Sequence, residues 1–204
     1  MNSSDLKLTG ILLAGGLSRR MGREKGLLKL GNRLLYTYPL RVLESCCEEI
    51  LISTCHDSVL PEAYPSVCDQ VPGIGPMGGI YTCLNRSSND VNVVLSYDMP
   101  LITADLVHYL VTRLEDFEVV VPTLKDRRPE PLCAIYRKSS SHYFKELIDR
   151  KEYAVHQVFA MARTSFVPVG PALPFYRPAL FANINQEKDL EKLPRDIRGS
   201  LHEG

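Results

Sequence analysis

The chain has no excess of charge of either sign: 24 Lys and Arg face 24 Asp and Glu, for a formal net charge of zero. A nucleic-acid binder carries a basic surplus, so long polyanions are not the expected partner. A small phosphorylated ligand stays open, because it needs only a local cluster of donors and cations. No apolar run approaches the roughly 18 residues that read as a membrane span, and Met1–Leu8 lacks the apolar core of a signal peptide. The six cysteines, Cys46, Cys47, Cys55, Cys68, Cys83 and Cys133, include no C-x-x-C pair. They read as reduced thiols of a cytosolic protein, not as a zinc site or a disulfide framework. His56, His108, His142, His156 and His202 lack metal-ligand spacing. A serine-hydrolase elbow is missing too, since Ser18 sits in no G-x-S-x-G.

What is present is the composition of an ordinary globular protein, 45% hydrophobic and 24% charged over 204 residues, enough for one domain. Strand-like and helix-like patterns alternate. Short apolar runs at Gly10–Ala14, Glu49–Thr54, Ser66–Cys68, Val91–Ser96, Glu118–Pro122, Leu132–Tyr136 and Ser165–Val169 predict strands. Helical spacing predicts helices over Leu35–Ser45, Ile80–Leu84, Thr103–Leu114 with Thr103 as N-cap, Ser141–Asp149, Val155–Ala162 and Gln186–Leu193. Alternation in units of about 30 residues predicts a single α/β domain with a mostly parallel sheet. Ligands of such sheets bind at the carboxyl ends of the strands. That places the loop after Ala14, the turn after Cys68 and the Tyr97–Pro100 corner on one side.

The most informative segment runs Leu12-Leu13-Ala14-Gly15-Gly16-Leu17-Ser18-Arg19-Arg20-Met21-Gly22-Arg23-Glu24-Lys25. A buried strand enters paired glycines, which let backbone N–H groups converge on phosphate oxygens. Arg19, Arg20, Arg23 and Lys25 supply charge for a triphosphate. The segment is not a P-loop, because Lys25 stands between Glu24 and Gly26, and it has no G-x-G-x-x-G. Asp98 closes the clearest buried strand; it suits either a Mg²⁺ ligand at the sheet edge or a turn residue before Pro100. Asp69 precedes a Gly/Pro-rich turn and is either structural or a ligand contact. Asn183 and Asn185 alternate along an extended stretch and so share a face. They can hold a pterin or a phosphate, or Asn185 can cap the last helix. Arg128, Glu130 and Arg177 are weaker candidates for the same pocket.

The string Leu13 to Lys25 resembles the L-A-G-G-x-S-x-R-M-G-x-x-K signature of sugar-nucleotide and cofactor nucleotidyltransferases, and within them most resembles the molybdenum cofactor guanylyltransferases. Gly75-Pro76-Met77-Gly78-Gly79-Ile80, Ser96-Tyr97-Asp98-Met99-Pro100, Pro129–Tyr136 and Phe181–Asn185 resemble further motifs of that family, so the likeness spans nearly the whole chain. It implies a three-layer Rossmann-like fold, with a nucleotide part over about 8–115 and an acceptor part over about 116–195. It also implies transfer of GMP from GTP to the phosphate of molybdopterin or molybdenum cofactor. Leu13, Ala14, Gly15, Gly16, Lys25, Ser53, Asp69 and Gly78 would contact GTP. Asp98 would bind Mg²⁺, Lys25 and Arg19 would face the phosphates, and Asn183 and Asn185 would face the acceptor. Proteins that deliver the cofactor and molybdoenzymes that receive it are the implied macromolecular partners. One departure is Ser53, where the family often has Asn; another is Tyr97 in place of Cys. A cytidylyltransferase and a non-catalytic nucleotide-binding protein of the same fold are the alternatives.

Overall fold

The structure is a computed structural model that describes residues 6–15, 28–54, 63–124 and 126–194. Its centre is strand β1, Leu8–Leu13, in which every residue is buried. Strands β4 (Glu49–Thr54) and β6 (Val91–Ser96) flank it, both parallel to it and both apolar on two faces. That double burial explains why these segments read as continuous apolar runs without alternation. Strand β5 (Ser66–Cys68) extends one side, and β8 (Cys133–Arg137), β7 (Val119–Thr123) and β9 (Thr164–Pro168) extend the other. The order is β5-β4-β1-β6-β8-β7-β9. Only β8 runs against its neighbours, so the sheet is mostly parallel, as expected.

Successive β1 side chains serve opposite faces. Leu8 and Leu12 join one apolar cluster, with Leu40 and Leu43 of helix α1 (Thr37–Cys46) and Leu106 and Leu110 of α3 (Ala104–Val111). Ile11 and Leu13 join the other, with Ile80 and Leu84 of α2 (Pro76–Arg86) and Phe144 and Leu147 of α4 (Ser141–Asp149). The period-two alternation of the strand thus builds three layers. Thr103 caps α3 as predicted, its hydroxyl accepting from the Leu106 N–H.

Three elements differ from expectation. A two-stranded hairpin, β2 (Lys29–Leu30) with β3 (Arg33–Leu34), precedes α1, and its turn places Gly31 at φ 62°. Gly suits that first turn position because it carries no Cβ. Val155–Ala162 forms only a 3₁₀ stretch over Val155–Ala160. The C-terminal helix shrinks to α5, Glu187–Leu190, which has no buried residue and so lacks the apolar face that stabilises a longer helix. Its N-cap is Gln186, not Asn185. Among the described residues, no helix is long and apolar enough to cross a membrane.

Gly10 lets α1 approach β1: a Cβ there would stand 3.0 Å from Leu43 Cβ and Cδ2 and 3.3 Å from Cys47 Sγ. Leu43 is fully buried, so it can shift only against its packed neighbours. Gly10→Ala is therefore expected to cost about 1–3 kcal/mol of stability, read as a lower urea midpoint at unchanged slope. An unchanged midpoint would show that the helix yields without cost.

Candidate active site

Parallel strands end on the same side of a sheet, and here three of those ends, of β4, β1 and β6, are pinned together. At the exit of β1, the Ala14 N–H donates to the Ser53 carbonyl of β4 at 2.8 Å. On the other flank, the Tyr97 N–H after β6 donates to the Leu13 carbonyl at 3.2 Å. The chain moves from β1 to β4 on one side and later to β6 on the other, so the exit of β1 is a topological switch point. Leu13 and Ala14 are buried there and Gly15 is half-buried. Gly16, Arg19 and Lys25, expected beside the phosphates, lie outside the described residues.

One wall of the crevice joins β4, β5 and α2. Ser53 is 2% exposed and its hydroxyl donates to Asp69 Oδ1 at 3.2 Å. The next residue, Gln70, donates its N–H at 2.9 Å to Oγ1 of Thr82, a buried residue of α2. Gly78, in the first turn of α2, packs so close that a Cβ on it would stand 2.8 Å from the Val71 carbonyl. Asp69 is half-buried; burial pushes its pKa above the usual carboxylate value, while the Ser53 hydrogen bond opposes the rise.

The other wall centres on Asp98, whose Oδ1 accepts from the Ser96 hydroxyl at 2.7 Å. Two distant segments close on this corner. The Ser96 N–H donates to the Leu132 carbonyl at 2.8 Å, which brings in the Pro129–Leu132 stretch with Glu130. The Ile184 N–H donates to the Asp98 carbonyl at 2.8 Å, which brings in Asn183 and Asn185. Ile184 is buried and both asparagines are exposed, as the alternation predicts. Burial raises the Glu130 pKa and the Asp98 charge adds to it, against a hydrogen bond from the Leu132 backbone. Burial also drives the Tyr97 phenol upward. Arg128 is paired with exposed Asp126, and Arg177 bonds the nearby Tyr176 and Pro174 carbonyls. Neither arginine is bonded to the Asp98 corner.

Ser96 and Thr82 were not singled out from sequence as supports. The Ser-x-Asp spacing at 96–98 was a readable sign, because a hydroxyl two residues from a carboxylate can bond it locally. Thr82 carried none, since its contact crosses from helix to loop. A groove of about 610 Å³ lined by Lys29, Arg33, Tyr36, Arg41 and Glu44 lies beside α1 and shares no residue with the strand-end site.

A family profile described as "MobA-like NTP transferase domain" matches residues 10–165. The chain belongs to the MobA-like NTP transferase domain family. It is 32% identical over 195 residues to a probable molybdenum cofactor guanylyltransferase of Pyrococcus furiosus, covering 93% of this chain and 97% of that one. It is 36% identical over 156 residues to a protein of the same description from Clostridium perfringens, covering 76% and 78%. A crystal structure described as molybdopterin-guanine dinucleotide biosynthesis protein A from Archaeoglobus fulgidus superposes with a TM-score of 0.75 at 23% identity, covering 90% and 95%. This MobA-like chain is thus a nucleotidyltransferase of the Rossmann-like fold.

Asp69 is held here against an electrostatic cost. A raised folded-state pKa means that Asp69 stabilises the fold only when protonated, below roughly pH 4, and that contribution is lost as pH rises through its folded-state value. Asp69→Asn keeps an acceptor for the Ser53 hydroxyl and removes the charge. The variant is expected to melt at or above the wild-type temperature near about pH 7.5, with the advantage vanishing on acidification. A lower melting temperature near neutrality would show that the carboxylate has a net stabilising partner.

Proposed function

We propose that this chain is a Mg²⁺-dependent molybdenum cofactor guanylyltransferase, moving GMP from GTP to the phosphate of molybdopterin or its molybdenum form. The observation that carries this reading is the convergence of segments distant in sequence on one sheet edge: Asp69 held by Ser53, and Asp98 tied to the Asn183–Asn185 stretch through Ile184. The names of the relatives support the choice of nucleotide and acceptor. Residues over about 8–115 would hold GTP and those over about 116–195 the acceptor, so Asp98 would lie at the seam. A cytoplasmic setting suits a protein that receives a cofactor and passes on a dinucleotide to molybdoenzymes.

The donor set at the seam fits a hard divalent cation. Asp98 is half-exposed, and its Oδ1 accepts from the Ser96 hydroxyl, which fixes the carboxylate at the strand end. The neighbouring Glu130 carboxylate adds negative charge. Among the described residues no three His, Cys, Asp or Glu side chains gather as a metal site; Mg²⁺ needs only one or two carboxylates, with phosphates and water completing its shell. When bound, the ion would supply charge neutralisation at phosphate oxygens.

The protein's own part is positioning. Leu13, Ala14, Gly15 and Gly16 would present backbone at the triphosphate, and Lys25 and Arg19 would face the departing pyrophosphate. Ser53, Asp69 and Gly78 would hold the nucleoside end, and Asn183 and Asn185 the acceptor. An acceptor phosphate oxygen would attack the α-phosphorus while the bond to the bridging oxygen breaks. That oxygen is already ionised near neutral pH, so no general base is needed, and orientation with charge stabilisation supplies the rate.

Pyrophosphate release, measured with each of GTP, CTP, ATP and UTP plus Mg²⁺ and molybdopterin, tests the reading. Release from GTP, reduced roughly 10²–10³-fold in Asp98→Ala by loss of metal-held charge stabilisation, is the expected result. Release from CTP would transfer the chain to cytidylyl chemistry. Release from none would leave a binding protein in its place.

A further inference from the structure

Ser53 stands where the family often carries an asparagine, and its surroundings show what a serine does there. It is almost fully buried. Strand β1 covers it on one side, with Leu13 as its register partner, and β5 covers the other with Val67. Above it lies Gly79 of α2: a Cβ on Gly79 would stand 2.3 Å from Ser53 Oγ and 3.3 Å from Ser53 Cβ. The carbonyl is taken by the Ala14 N–H and the hydroxyl proton by Asp69. A hydroxyl has a single proton to donate, and here it is already used.

Asp69 is placed differently. It is half-buried, at the mouth of the same wall, and held from two sides: by the Ser53 hydroxyl from β4, and by the Gln70 N–H bond to Thr82 from α2. A ligand entering from solvent meets this carboxylate before it meets Ser53. We propose that Ser53 is a positioning residue that acts on the nucleotide through Asp69, without touching the base. The short serine lets Gly79 close over it, so that β4, the Asp69 turn and the first turn of α2 form one rigid unit. The inference rests on the nucleotidyltransferase reading of the site and assigns the specificity contact at this wall to Asp69 alone.

A nucleotide-free measurement tests the bond, and a binding cycle tests its consequence. In Ser53→Ala, the Asp69 carboxyl followed by NMR is expected to titrate at higher pH than in wild type, because the removed hydroxyl favoured the charged form. Among the described residues, the buried Cys83 thiol of α2 feels the Asp69 charge; it is pushed up to about 12 and stays neutral through this range. An unmoved Asp69 titration would overturn the proposal. For GTP affinity, Ser53→Ala is expected to weaken binding roughly 3–10-fold, the scale of one hydrogen bond. The same substitution in an Asp69→Ala background is expected to change nothing further. Independent, multiplying losses would show a separate contact from Ser53 to the nucleotide and overturn the proposal.

Gly79→Ala supplies a second route should Ser53→Ala fold poorly. Its methyl would displace the Ser53 hydroxyl, so it should raise the Asp69 titration and weaken GTP to the same degree as Ser53→Ala. Combined with Ser53→Ala, where the 2.3 Å conflict is gone and the 3.3 Å approaches to the Cβ of residue 53 and to Leu13 Cδ2 remain, it should cost less than it does alone. A full additional loss in the combined variant would overturn the proposal. Should wild type bind no GTP while the Asp69 titration still responds to Ser53→Ala, the guanylyltransferase reading fails and the Ser53–Asp69 coupling stands.

Discussion

Everything at the candidate site depends on the common polarity of β4, β1 and β6. Three adjacent parallel strands deliver their carboxyl ends to one edge, and two backbone hydrogen bonds, Ala14 to Ser53 and Tyr97 to Leu13, hold those ends in fixed relation. A parallel pair cannot be joined by a tight turn. Each strand must return through a crossover on one face or the other, which gathers the carboxyl ends of the three strands at one edge. The crevice at the switch point follows from this topology before any side chain is chosen.

Side chains then convert the crevice into two held carboxylates. Each is secured by a serine hydroxyl from the end of a buried strand, Ser53 for Asp69 and Ser96 for Asp98. A hydroxyl is suited to this place: it is small enough for a strand end under a helix and donates without adding charge. The arrangement has a cost in stability, since burial raises the pKa of Asp69 and of Glu130. A fold selected only for stability would not place partly buried acids at one edge. Their presence supports the proposed site at this edge.

The fold class was legible because its signals are local. Doubly buried strands read as apolar runs and Thr103 as a cap; the Gly78–Gly79 pair read as a turn before a helix from Ile80, whereas α2 begins at Pro76 and includes both glycines. The hairpin at Lys29–Leu34 was not legible, because two-residue strands have no measurable period. The reversal of β8 was equally hidden: nothing in Cys133–Arg137 says whether it pairs with β6 parallel or antiparallel, a choice made by the short connection from β7. For the site, the residues came from motifs, but their grouping did not. The Asp98–Ile184 and Ser96–Leu132 bonds join segments far apart in sequence, and such pairing depends on packing of the whole sheet. Ser53 shows the limit most sharply. A polar residue at a strand end looks like a ligand contact until the overlying Gly79 and the nearby Asp69 show that its hydroxyl is covered and its proton already used.

In the proposed reaction, the Asp98 corner would matter to both ends of the transfer. Its side chain is fixed by Ser96 of β6, in the part proposed to hold the nucleotide, and its carbonyl by Ile184, in the part proposed to hold the acceptor. The Glu130 loop is fastened to the same strand end through Leu132. Three segments therefore share one short stretch of backbone, and a shift in any of them would move the carboxylate. Effective concentration in a bimolecular transfer comes from holding two phosphates at a fixed separation. A rigid corner reached from both halves meets that need directly, whereas two independent sites on mobile loops would have to be brought into register at each turnover.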